Sequence, residues 1–139
     1  MTNETNSRGR KTVLIVEDQK LMRQTLRDFL RHAFPDCNLL EAADGASALL
    51  ACKACRPVLV LMDKCLPDAD GIDLTARFLS LYPGIQVMVI SYQSGEVYVQ
   101  RALAAGARAY LVKDNLSTEL IPMVAAAIGL PPGLARGAS

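Results

Sequence analysis

Five polar side chains in this sequence stand at the ends of short apolar runs. Glu17 and Asp18 follow the run 12–16, Asp63 follows 58–62, Ser91 closes 86–91, and Lys113 follows 109–112. Three carboxylates brought to one place repel one another unless a cation stands between them. Oxygen-only donors with room for water suit a hard divalent ion, Mg2+ ahead of Zn2+. The single His and the scattered cysteines supply no zinc set. Ser91 and Lys113 are donors, suited to holding anionic oxygen. A carboxylate nucleophile, a hard cation, a hydroxyl and an ammonium together describe phosphoryl transfer, in which positioning and charge neutralisation supply most of the catalysis.

Those residues meet only if the intervening chain folds to bring the run ends together. The runs 12–16, 38–42, 58–62, 86–91 and 109–112 are β-branched or apolar, too short for helix cores and bounded by polar or turn residues, so they read as strands. Helical patterns lie between them. From Leu21 onward, Met22, Leu26, Phe29, Leu30 and Ala33 recur three and four apart, with Arg23, Arg27 and Arg31 on another face. Asp44 is placed to cap a helix over 46–53. A third helix starts near Gly71, carries Leu74, Phe78 and Leu81 inward, and stops at Tyr82-Pro83-Gly84. A fourth, over about 95–105, is expected to bury Val99, Ala102 and Leu103 and to end at Gly106. A fifth opens at Ser117 or Thr118 and stops at Gly129, and Pro122 inside it predicts a late start or a bend.

Strand and helix alternating five times imply parallel strands joined by right-handed crossovers, with helices on both faces. The expected fold class is α/β: a flavodoxin-like three-layer sandwich around a parallel five-stranded sheet of order 2-1-3-4-5. Such sheets place their working crevice beyond the carboxyl ends of the strands, here between strands 1 and 3. The residues after Val16 and Met62 therefore carry the most weight.

Composition agrees with one globular domain: 51% of residues are hydrophobic and 21% charged over 139 residues, enough to bury a core and too short for two domains of ordinary size. Fifteen basic against fourteen acidic residues leave a net charge of +1, which removes the electrostatic footprint of a nucleic-acid surface. No apolar run is long enough to span a bilayer, and the polar segment 1–11 offers no signal-peptide stretch, so the expected location is cytoplasmic, with no membrane contact. In a reducing compartment Cys37, Cys52, Cys55 and Cys65 are read as thiols. Cys52-x-x-Cys55 falls inside a predicted helix, and a packing role is expected for it. His32 is read as a surface or helix-end residue, not a phosphorelay histidine. Residues 1–11 are expected to be a flexible arm, 12–129 the folded domain, and 130–139 a flexible tail or the start of a linker.

Over roughly residues 11–128 the sequence resembles a two-component response-regulator receiver domain. The resemblance is carried by Val13-Leu14-Ile15-Val16-Glu17-Asp18, by Leu61-Met62-Asp63 with Pro67 four residues later and Asp70-Gly71 after it, by Ser91, and by Gly106-Ala107-Arg108-Ala109-Tyr110-Leu111-Val112-Lys113-Asp114. The last stretch is most similar to the nitrate-response and quorum-sensing type. The resemblance implies that Asp63 accepts a phosphoryl group from a phosphohistidine on a sensor histidine kinase. It implies that Glu17, Asp18, Asp63 and the backbone carbonyl of Cys65 hold Mg2+, that Lys113 pairs with the phosphoryl group, and that Ser91 moves to hydrogen-bond it. Tyr110 would change rotamer with Ser91 and report the state to the face formed by helix 4, strand 5 and helix 5, through which a homodimer or an effector would bind. Such a protein is a switch that catalyses only its own phosphotransfer and dephosphorylation.

The pattern departs from the family in places. The acidic pair is Glu-Asp where Asp-Asp is common, the hydroxyl is Ser91 where Thr is common, and Leu66 stands where Met is frequent. Tyr92 puts a bulky ring beside the pocket, and Cys65 puts a thiol at its border. Asp114 follows Lys113 where many receivers have Pro, so no cis bond is expected there. The chain ends about ten residues past its last predicted helix, short of the helix-turn-helix domain of that subfamily, as a stand-alone receiver or a piece of a longer protein would. Three other readings compete. A receiver could serve as a docking module without phosphorylation. A Mg2+-dependent phosphohydrolase of the haloacid-dehalogenase kind would need a general-acid Asp where Cys65 stands. A flavin carrier would need a phosphate cradle where Glu17-Asp18 would repel the phosphate.

Overall fold

Residues 13–16, 59–62 and 87–90 are apolar at every position, so strands made from them require cover on both faces. The computed structural model describes residues 10–133 and the backbone of Thr5–Asn6, and in it these runs form the centre of a parallel sheet. The strands are β1 (Arg10–Val16), β2 (Asn38–Ala42), β3 (Leu59–Asp63), β4 (Gln86–Ser91) and β5 (Ala109–Val112). They pair in parallel in the order β2-β1-β3-β4-β5, which is the expected 2-1-3-4-5. Val16 lies opposite Met62, Asp63 opposite Ile90, and Ser91 opposite Val112. That register brings four strand ends to one edge. Thr5–Asn6 adds a short antiparallel pairing to Arg10 and Lys11, and β1 starts two residues earlier than the sequence pattern indicates.

Side chains alternate across the sheet, as a strand's two-residue period requires. Val13, Ile15, Leu59, Leu61, Met88 and Ile90 pack under α1 (Lys20–Ala33) and α5 (Leu116–Ile128). Leu14, Val16, Val60, Met62 and Val87 pack on the other face under α2 (Gly45–Cys55) and α3 (Gly71–Leu81). Burial of Cys52 in this second core pushes its thiol pKa up to about 12, which suits packing and not redox chemistry. Asp44 caps α2 as expected, accepting from the Ser47 backbone N–H at 2.8 Å and from its hydroxyl at 2.6 Å.

Two helices differ from the sequence pattern. In α4 (Glu96–Ala104) only Ala102 is buried, while Val99 is half-buried and Leu103 is 45% exposed. The small Ala102 and Ala107 fill the contact with Val89 and Ile72, so the larger side chains of α4 stay outside. Pro122 neither delays nor ends α5, which begins at Leu116 after a 3-10 turn over Lys113–Asn115. The ring sits on the exposed side of the helix, and the carbonyl of Thr118 that loses its donor belongs to an exposed residue, so water can satisfy it. Gly129 takes the left-handed terminating position with φ 71°. Among the described residues every peptide bond is trans, and no helix is long and apolar enough to cross a membrane. Most of the expected arm over 1–11, and residues 134–139 of the expected tail, lie outside the described residues.

Candidate functional site

The strand ends converge as the spacing requires. Glu17 is fully buried in the turn from β1 to α1, Asp18 beside it is exposed, and Asp63 is the last residue of β3, not the first after it, and is buried. One carboxylate oxygen from each of the three lies within 4.8 Å of the others. Lys113 reaches in from the end of β5, its Nζ 2.8 Å from Glu17 Oε1 and 3.3 Å from Asp63 Oδ1. Ser91, Tyr92, Gln93 and Cys65 border the same hollow of about 280 Å³ together with Asp18, Asp63 and Lys113. The Cys65 backbone N–H donates to Asp63 Oδ1 at 3.3 Å.

Charge is crowded in this pocket. Burial and then the neighbouring Glu17 push the Asp63 carboxyl up to about 7, against the pull of Lys113 and the Cys65 N–H. For Lys113, burial opposes the charge, but the hydrogen bond to Glu17 and the charges of Asp63 and Glu17 prevail and raise its pKa. Three hard oxygen donors, one of them open to solvent, fit a small divalent ion that keeps part of its water shell.

Several supporting residues have no strong sequence signal. Arg23 belongs to what reads as a solvated stripe, yet its Nη1 donates to the Glu17 carbonyl at 2.8 Å and its Nε to Glu41 Oε1 at 3.2 Å. It ties the acidic turn to β2. Lys64, next to Asp63, is buried and points away from the pocket, 3.4 Å from Asp70 and over the ring of Tyr98 at 5.2 Å. Gln93 holds both expected switch residues: its backbone N–H donates to Ser91 Oγ at 3.0 Å, and its carbonyl accepts from the Tyr110 hydroxyl at 2.6 Å. Tyr92 is 56% exposed with its ring 5.0 Å from Lys113 Nζ, so the bulky neighbour does stand at the mouth.

Asp68, five residues past Asp63, accepts from the first backbone N–H groups of α2, Gly45 at 2.8 Å and Ala46 at 3.1 Å. These donors have no partner inside the helix. Asp68→Ala is expected to lower stability by about 1 kcal/mol, measured as a lower urea midpoint with an unchanged slope.

A protein-family model described as "Response regulator receiver domain" matches residues 13–125. The chain belongs to this family. This receiver is 34% identical to the transcriptional regulatory protein PdtaR of Mycobacterium tuberculosis over 91% of its own length and 61% of that protein. It is 33% identical to the chemotaxis protein CheY of Thermotoga maritima over 74% of this chain and 85% of that one. Its fold matches the solved receiver domain of the NarL regulator of M. tuberculosis with a TM-score of 0.78 and 32% identity, covering 86% of this chain and 98% of the other. The chain spans about half the length of the curated Bacillus subtilis relatives it matches, 51% and 53%. Receivers of this family are phosphorylation-controlled switches, not enzymes with external turnover. Cys65 borders the pocket at the position where the rival hydrolase chemistry needs a second Asp.

Proposed function

We propose that this receiver takes a phosphoryl group from a sensor histidine kinase onto Asp63. The observation that carries the reading is the gathering of Glu17, Asp18 and Asp63 within 4.8 Å, with Lys113 and Ser91 on the same hollow. A carboxylate oxygen of Asp63 attacks phosphorus, a P–O bond forms, the P–N bond of the phosphohistidine breaks, and the imidazole leaves with its electron pair and takes up a proton. Glu17, Asp18, Asp63 and the Cys65 carbonyl would hold Mg2+, which when bound neutralises clustered charge and orients phosphoryl oxygens. Lys113 supplies a fixed positive charge to the incoming group. Ser91 turns from its bond with the Gln93 N–H to donate to the new phosphoryl oxygens, and Tyr110, held by the same residue, follows.

The output face of this reading is α4, β5 and α5, through which an effector or a second copy binds, and residues 12–129 make up the functional unit. Its relatives' names support a transcriptional output for the whole protein to which such a receiver contributes. The test is incubation with Mg2+ and acetyl phosphate, or with a phosphorylated histidine kinase, read by the mass increment of one PO3 group and by NMR shifts at Ser91 and Tyr110 with beryllofluoride. No increment and no shift at saturation would sink it and leave a docking module that works without phosphorylation.

Lys113→Ala is expected to separate binding from switching. Mg2+ should still bind, because the carboxylates remain, while beryllofluoride no longer shifts the residues of α4 and β5. Full retention of those shifts would mean that the Lys113 ammonium does not couple the phosphoryl group to the output face.

A further inference from the structure

We propose that the groove between α2 and α3, away from the phosphoacceptor pocket, is a docking surface for an acidic amphipathic helix of a partner protein. Both helices bury what the fold needs on their inner sides, Ala48 and Cys52 from α2 and Leu74 and Phe78 from α3. Leu50 and Leu81 point outward nonetheless, 69% and 54% exposed. With Leu49 and Tyr82 they floor a groove of about 440 Å³. Past Leu81 and Tyr82 it runs on into a second hollow of about 330 Å³ beside Pro57 and Pro83. Large apolar side chains left exposed side by side between two helices form a candidate contact surface.

The rim selects the partner. Lys53 and Arg77 flank the groove, neither has an ion pair among the described residues, and no acidic side chain lines either hollow. A second copy docking by the same face would set cation against cation, with no carboxylate in the lining of either hollow to relieve it. Three cations, Lys53 and Arg77 with Arg56 of the second hollow, over a leucine floor are too few to hold a nucleic acid, whose affinity grows with the number of phosphates neutralised. The floor comes from helices and the turns that end them, with no strand edge to extend. A helix laid along the groove therefore fits better than a strand. At 11 residues each, α2 and α3 offer about 16 Å of length, room for anchors at i, i+3, i+4 and i+7, with Glu or Asp beside them.

The test uses the full chain, 15N-labelled, and two synthetic peptides of about four helical turns with Leu at those spacings. One carries Glu on its flanks and its twin carries Lys. The acidic peptide is expected to give saturable shifts at Leu49, Leu50, Lys53, Arg77 and Leu81, with binding about tenfold or more tighter than the Lys twin. Arg77→Glu should abolish most of the preference, and Leu50→Ser, at an exposed position, should weaken both peptides without changing the fold. Asp63→Asn should bind like the parent, so failure of the phosphoryl reading leaves this one standing. Equal binding of the two peptides, shifts confined to another face, concentration-dependent self-association through these residues, or displacement by duplex DNA would each overturn the proposal.

Discussion

Asp63→Asn is expected to take up no phosphoryl group from acetyl phosphate and Mg2+, and to be more stable than the parent at and above neutral pH. The first effect is a complete loss, because a carboxamide has no free carboxylate oxygen to attack phosphorus. The second follows from the crowding of the pocket. In the unfolded chain the carboxyl titrates near 3.8; in the folded chain burial, then Glu17, pushes it up to about 7. Between those pH values the folded state keeps a proton that the unfolded state releases, so this group lowers stability as pH rises from about 4 to about 7, and the deficit persists above. The amide removes it. The gain should be about 1–2 kcal/mol at pH 8, since solvent on the open side of the pocket screens the charge, and it should vanish below pH 4. Urea denaturation of both proteins at pH 8 and near pH 4 reads the difference. Equal stability at pH 8 would mean that Lys113 already compensates the charge in full. Saturating Mg2+ should stabilise the parent more than the variant, because a ligand stabilises the state that binds it.

The sheet was legible in the sequence because its signal is local. Runs such as Val60-Leu61-Met62 have no polar face, so they identify buried parallel strands by themselves, and the five side chains at run ends follow from the alternation of strand and helix. What was not legible depends on partners distant along the chain. Arg23 reads as one member of a solvated stripe because nothing near it announces Glu41, 18 residues on, or the Glu17 carbonyl that it holds. Leu103 matches a buried helical position by spacing, yet its helix leans on the sheet through alanines and leaves it outside. Pro122 does not delay the start of its helix, because the ring and the carbonyl it leaves without a donor belong to exposed residues that water can reach. Gln93 carries no motif, since its contacts with Ser91 and Tyr110 both use the backbone.

Gly71→Ala is expected to cost about 3 kcal/mol or more and to abolish the response to beryllofluoride, although glycine at this position serves no unusual dihedral angle. A methyl group on its Cα would press into the carbonyl of Asp63, and would stand 2.8 Å from Lys64 Cα and 2.9 Å from the Asp63 carbonyl carbon. These are backbone atoms of a strand end, unable to rotate aside. The approach is close because the Gly71 N–H donates to the Lys64 carbonyl at 2.6 Å while Asp70 accepts from the N–H groups of Ile72 and Asp73, seating the start of α3 against the end of β3. Relief of the overlap must move either α3 or Asp63. Overpacking against fixed atoms is destabilising on its own, and a shift of Asp63 by a fraction of an ångström disturbs its place beside Glu17 and Lys113. Gly84→Ala is the control: nothing lies within 4 Å of a methyl there, so its midpoint should stay near the parent's. If both variants unfold at the parent's urea midpoint, close packing of α3 on β3 is not the reason for glycine at position 71, and the motif Asp70-Gly71 needs another physical account.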